Sequence, residues 1–228
     1  MSVPVSRPLP YASRLGRLWW LRAGDPRITG VAAAFAALAV VAMCTGRDGC
    51  LARADRTAFE RVRASRTRTG VAIAHAVSAL AEPEVVYPVL VITSAIGVRR
   101  TGWRPAWRPA VMPGLVISGM AARRLLSRRI ARPRPPAEAW LVEPEGYSLP
   151  SKHTTLAALA AGACVRSLGL GGKPARIAPL LAAAGVGVSR VCLGVHWPAD
   201  VAAGWLFAEG WLCLTAPGQH GRQNRKDV

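Results

Sequence analysis

Ser189-Arg190-Val191-Cys192-Leu193-Gly194-Val195-His196-Trp197-Pro198-Ala199-Asp200 separates two apolar runs, 175–191 and 199–216. Each run is long enough to enter a bilayer as a helix. An arginine within such a stretch costs about 2.5–3.5 kcal/mol at mid-bilayer, so Arg190 needs a partner or an anion. His196 and Asp200 lie four positions apart, and Pro198 suits a first helical position. A carboxylate beside an imidazole accepts a hydrogen bond from Nδ1–H, which fixes the tautomer and leaves Nε2 free to attack. The bland alternative is a structural His–Asp pair at a helix start.

Outward from this segment the apolar content stays in blocks. Residues 28–45, 83–98, 109–126 and 154–170 form four more runs of spanning character. With 175–191 and 199–216 they predict an all-α, polytopic membrane bundle of about six transmembrane helices. Residues 71–81 read as a further helix leaning on that bundle, and Pro83 and Pro88 permit a kink after it. Gly114, Ser118 and Gly119 are small enough to let helices approach. Residues 1–27 form a basic cytoplasmic tail, 28–216 the membrane-embedded domain and 217–228 a polar C-terminal tail. Residues 46–70 and 127–153 read as polar loops. Six spans place both termini on one side, and loops 127–153 and 192–198 then share the opposite face. The positive-inside rule puts the termini in the cytoplasm, although the opposite loops are basic too. Alanine- and arginine-rich composition suggests a bacterial inner membrane, with the site on the extracytoplasmic face.

The net charge is +18 and half the residues are apolar. Basic charge alone also fits nucleic-acid binding. The lipid-like blocks between the basic loops, and the lack of any nucleic-acid motif, argue against it. The charge suits anionic headgroups or an anionic substrate. The five cysteines have no paired spacing of a disulfide framework or a zinc site, though Cys44 and Cys50 could meet at one membrane face. Carboxylates are too few and scattered for a two-metal site, so neither metal nor cofactor is expected.

Two further segments carry chemistry. Between Arg123 and Arg134 there are six arginines in twelve residues, followed by Pro135 and Pro136. Alternating Arg-Pro pairs stiffen the chain, and planar guanidinium forks suit phosphate oxygens. Pro150-Ser151-Lys152-His153 precedes the apolar run from Thr154. Serine there is an N-cap signal, and free amides at a helix start bind anions. Ser151 with the amides of Lys152 and His153 is therefore a candidate pocket wall.

Jointly the segments resemble the type 2 phosphatidic acid phosphatase family, membrane relatives of vanadium haloperoxidases. That family's signature is K-x6-R-P, P-S-G-H and S-R-x5-H-x3-D. The third motif matches at every fixed position, the second departs at Lys152, and the first departs at Ser127 but keeps Arg134 and Pro135. The resemblance implies a phosphatase acting on a lipid or polyprenyl phosphate. His196 would be the nucleophile, Asp200 its support, and His153 the acid for the leaving group and then the base for water. Arg134, Arg190, Ser151 and Lys152 would hold phosphate oxygens. For the cation missing at Ser127 the candidates are Arg124, three residues back, Arg128, adjacent, and Lys152, which would restore the charge from the other wall. A phosphotransferase with the same histidine chemistry, or a degenerate lipid-phosphate binder, are the competing readings. Oligomeric state and the particular lipid are not legible.

Overall fold

The computed structural model describes residues 26–45, 49, 51–101, 108–170 and 172–214. Its helices are α1 (Pro26–Cys44), α2 (Ala52–Ala64), α3 (Arg68–Ala79), α4 (Pro83–Thr101), α5 (Arg108–Ile130), α6 (Lys152–Ser167), α7 (Lys173–Cys192) and α8 (Pro198–Leu214). A single 3-10 turn, Ala137–Ala139, interrupts the long connection between α5 and α6. The fold is all-α among the described residues, as expected. Six of the helices, α1 and α4 to α8, fall on the six apolar runs.

α6 is the central helix and packs against α4, α5, α7 and α8. From His153 to Ala160 every residue is buried. A helix apolar or small on all sides is one that neighbours enclose. α1 lies along α8, where Phe35 meets Phe207 edge-on at 5.9 Å and Phe207 stacks on Trp211 at 5.7 Å. Gly119 permits close packing, because a Cβ there would lie 2.9 Å from Leu159 and Trp211, whereas nothing crowds Gly114.

The outer surface is apolar and the interior holds the polar groups. Val91, Ile92, Ile117, Leu181 and Val188 are all exposed, while Ser94, Ser127, Thr154, Thr155 and Ser167 are buried. That inversion suits a lipid-facing surface. By length and hydropathy alone, α7 can cross a bilayer by itself, and α3 with α4 can do so together as one span bent by 50°.

Two expectations are corrected, and a third lies outside the described residues. Residues 46–70 are not simply a loop: α2 occupies 52–64, and α3 starts at Arg68, capped by Thr67, whose Oγ1 accepts from Gly70 N at 3.0 Å. α2 escaped notice because its helical face buries only Asp55 and Phe59, an unusual pair for a seam. α5 runs on to Ile130, so Ser127 and Arg128 are helical. It stops at Ala131, which takes a left-handed φ of 49°. The Cys44–Cys50 pairing falls on Cys50, outside the described residues.

The connection 131–151 folds against the α7–α8 turn, as the shared-face expectation requires. Leu141 N donates to Leu193 O at 2.9 Å. Gly194 makes this possible: its φ is 83°, and a Cβ would sit 2.0 Å from Ala139 O.

Candidate active site

His196 sits on the α7–α8 turn and is 1% exposed. Its Nδ1 lies 3.4 Å from Asp200 Oδ2, the i,i+4 neighbour in the first turn of α8. Asp200 is fully buried and fully engaged. Its Oδ2 also accepts from Trp197 N at 2.9 Å and from the Ser148 hydroxyl. Its Oδ1 accepts from Arg132 at 2.5 Å. Arg132 donates at 2.6 Å to Asp55 of α2, whose other oxygen accepts from Ala199 N at 2.8 Å. A buried chain therefore runs His196–Asp200–Arg132–Asp55, and α2 anchors its far end. Buried charges persist only when so paired.

On the other side, His196 Nε2 is 3.3 Å from Arg134 Nη1. With the Nδ1–H donating to Asp200, Nε2 carries the lone pair that faces this guanidinium. Arg134 is otherwise spent on carbonyls: Gly146 at 2.8 Å, Val195 at 2.7 Å, Glu145 at 2.7 Å and Tyr147 at 3.2 Å. It fastens the 145–147 segment over the α7–α8 turn, so its first task is positional. Burial, against the pull of Asp200, pushes the His196 imidazole down to about 4, and Arg134 and Arg190 add to the push. His196 is thus neutral at pH 7.

In front of Arg134 lies a cavity of about 300 Å³ lined by His75 and Ser78 of α3, Glu82, His153 and Arg190. His153 Nε2 lies 3.0 Å from Glu82 Oε1. Arg190 Nη1 donates to Ser78 at 2.9 Å. Two buried polar atoms here have no partner, His153 Nδ1 and Arg190 Nε. Such atoms are uncommon in a finished interior and mark a place for a ligand group. Burial first, then the charge of Arg190, lowers the His153 pKa to about 4 against the opposing effect of Glu82.

The candidate residues divide as follows. His153, Arg190, Arg134 and Lys152 line this cavity. His196 and Asp200 lie behind Arg134 and are joined to it through His196 Nε2. Ser151 is corrected: it holds the N-cap position but forms no capping bond. Its N–H goes to Asp200 O at 3.1 Å and its Oγ accepts from Thr154 at 3.0 Å, so it faces protein rather than the cavity. Arg124 and Arg128 line a neighbouring cavity. The cation that meets Ser127 is Arg123, four residues back and buried, which also donates to Pro150 O at 2.7 Å. Lys152 Nζ pairs with Glu145 at 3.1 Å, which holds that carboxyl below its ordinary pKa.

Sequence reasoning missed Glu82, Arg132, Asp55, Ser78 and His75. Glu82 had a visible signal, a carboxylate breaking an apolar run. Arg132 had the other, as the first of the Arg-Pro pairs.

A family model described as the PAP2 superfamily matches residues 92–223, which contain the three motifs. The chain belongs to the PAP2 superfamily. The PAP2 motifs on α5, α6 and α7–α8 are thus the segments that meet around Arg134. No curated relative matches this chain. Its fold is similar to the crystal structure of a transmembrane PAP2-type phosphatidylglycerolphosphate phosphatase from Bacillus subtilis, with a TM-score of 0.69 and 22% identity, over 87% of this chain and 98% of that one.

Proposed function

We propose that this PAP2 member is an integral membrane phosphatase that hydrolyses a lipid or isoprenoid phosphate, or diphosphate, through a phosphohistidine. The observation that carries the reading is the pair of buried, unpartnered atoms, His153 Nδ1 and Arg190 Nε, on two residues that line a cavity together with Arg134, which lies against His196 Nε2. An apolar groove of about 460 Å³ between α4, α6 and α7 begins at Ala157, one helical turn below His153, and suits an apolar stem.

In the first step the phosphate takes the Arg190 Nε donor and draws Arg134 Nη1 off His196. The Nε2 lone pair then forms the N–P bond while the ester P–O bond breaks. The leaving alkoxide takes a proton from His153 and departs as the lipid alcohol. In the second step water gives a proton to His153 and its oxygen attacks phosphorus. The N–P electron pair returns to Nε2 and inorganic phosphate leaves. Nδ1 keeps its proton and donates it in a hydrogen bond to Asp200 throughout, and the carboxylate stabilises the imidazolium-like charge. Guanidinium groups supply the positive charge around the equatorial oxygens.

His153 must be cationic for the first step, although burial and the charge of Arg190 hold it near 4. An incoming phosphate dianion offsets Arg190 and raises it when needed. The site would lie at the extracytoplasmic headgroup layer of a bacterial inner membrane, with the six apolar helices as spans.

The test is phosphate release in detergent from phosphatidic acid, phosphatidylglycerol phosphate and a polyprenyl diphosphate. Wild-type protein should release phosphate from at least one, with vanadate inhibiting. His196→Ala should lose at least about a thousandfold. Undiminished release by that variant would end the phosphohistidine reading. Transfer to an added alcohol, with no release to water, would favour a phosphotransferase.

A further inference from the structure

Arg124 and Arg128 of α5 are not among the residues that line the catalytic cavity. Arg124 and Arg128, one helical turn apart on one face, line a second cavity of about 530 Å³ between α4, α5 and the start of α6. Its walls are mixed: Met120 and Leu156 are apolar, Tyr147 and Lys152 polar. Apolar walls beneath cations suit a charged headgroup on an apolar stem. Ser127, at the position where the family signature has lysine, also opens here rather than onto the catalytic cavity.

Two observations make this more than a basic surface. No ion pair among the described residues involves Arg124 or Arg128. Like charges one turn apart repel, and Arg123 and Lys152 bring the cations of the lining to four against the single carboxylate Glu145. An anion relieves that repulsion. Secondly, Lys152 and Glu145 line both cavities, so one partly exposed ion pair of 3.1 Å divides them. An ion pair so open to solvent is weak, and a phosphate can replace the carboxylate.

We propose that the α4–α5 cavity is a second phosphate subsite, in which Arg124 and Arg128 hold a phosphate group on an apolar stem beside the phosphate being cleaved. The proposal rests on the phosphatase reading and deepens it. Lys152 stands between the two anions and leaves Glu145 when both are present. The second phosphate has two sources. It is the inner phosphate of a two-phosphate substrate whose stem leaves between α4 and α5. Alternatively it belongs to a separate anionic lipid, while the substrate stem lies in the groove between α4 and α7.

The experiment compares wild-type protein, Arg124→Gln/Arg128→Gln and Arg124→Lys/Arg128→Lys in micelles. Substrates are dioctanoyl phosphatidic acid, dioctanoyl phosphatidylglycerol phosphate and farnesyl diphosphate. A parallel arm measures the rise in melting temperature that dioctanoyl phosphatidylglycerol, and then dioctanoyl phosphatidylglycerol phosphate, gives each protein. With the substrate as source, the glutamine variant lowers kcat/KM for the two-phosphate lipids about tenfold relative to phosphatidic acid, and the lysine variant restores the ratio. With a separate lipid as source, all three substrates decline together and the stabilisation by phosphatidylglycerol is lost. An unmoved ratio with unmoved stabilisation overturns the subsite. Wild-type protein that cleaves none of the three lipids refutes the phosphatase reading instead, and the melting arm still decides the subsite.

Discussion

A histidine that lends a proton to a leaving group must hold that proton when the substrate arrives, and His153 has burial and Arg190 against it. Glu82 is the opposing influence. It sits in the break between α3 and α4 and reaches His153 Nε2 at 3.0 Å from outside all three motifs. His75 and Ser78 of α3, Arg190 of α7 and Lys152 of α6 share the cavity. Of these, Arg190 and Lys152 lower the His153 pKa, and only Glu82 raises it. Removing that carboxylate therefore lowers the pKa further. At any pH above it a smaller fraction of His153 is the acid. Glu82→Gln should reduce kcat/KM near pH 7 by roughly tenfold, the equivalent of one pKa unit, and move the alkaline limb of the pH profile to lower pH. Substrate ionisation is the same for both proteins, so the difference between their profiles isolates His153. A reduced rate with an unmoved limb would mean that Glu82 only supports the helix break.

At the scale of elements, α2 is the helix that repays attention. It contributes no group to the cavity, yet Asp55 ends the buried chain that orients His196 and accepts the first amide of α8 at Ala199. Phe59 packs on Trp197 at 5.1 Å beside it. Asp55→Asn keeps an acceptor for Ala199 but removes half of the counter-charge on Arg132. Breaking a buried pair on one side costs about 3–5 kcal/mol, so the melting temperature should fall by several degrees and kcat with it. A melting curve coincident with wild type would mean that α2 is a bystander. None of this was visible in the sequence. The six apolar helices were, because burial in lipid or in the bundle demands unbroken apolar runs. So was the pairing of His196 with Asp200, because their spacing of four positions encodes it locally. α2 was hidden because its sequence is mostly arginine and alanine, and its one buried charge is matched by Arg132, 77 residues away. Arg123 was overlooked in favour of Arg124 for the same kind of reason. Neighbouring residues on a helix point about 100° apart, and only packing settles which of two adjacent arginines turns inward.

For the whole molecule, the distribution of polarity fixes a testable topology. The catalytic cavity, the 131–151 connection and the α7–α8 turn occupy one end of the bundle, while Gly172 and the start of α7 lie one span away at the other. If α1 and α4 to α8 each cross once, both termini share the compartment of Lys173 and the site faces the opposite one. The charge pattern decides poorly, because arginines crowd both ends. The chemistry adds what charge cannot: a lipid phosphate is presented wherever its headgroup lies, so orientation sets which leaflet is served. Single cysteines at Glu143 in the 131–151 connection and at Lys173, in a protein whose own five cysteines are serine, report this directly. In intact cells a membrane-impermeant maleimide should label Glu143→Cys and spare Lys173→Cys until the cells are opened. Labelling of both positions in sealed cells would rule out the single crossing by α6 between them. Labelling of Lys173→Cys alone would place the phosphatase on the cytoplasmic leaflet, with the bundle and its chemistry unchanged.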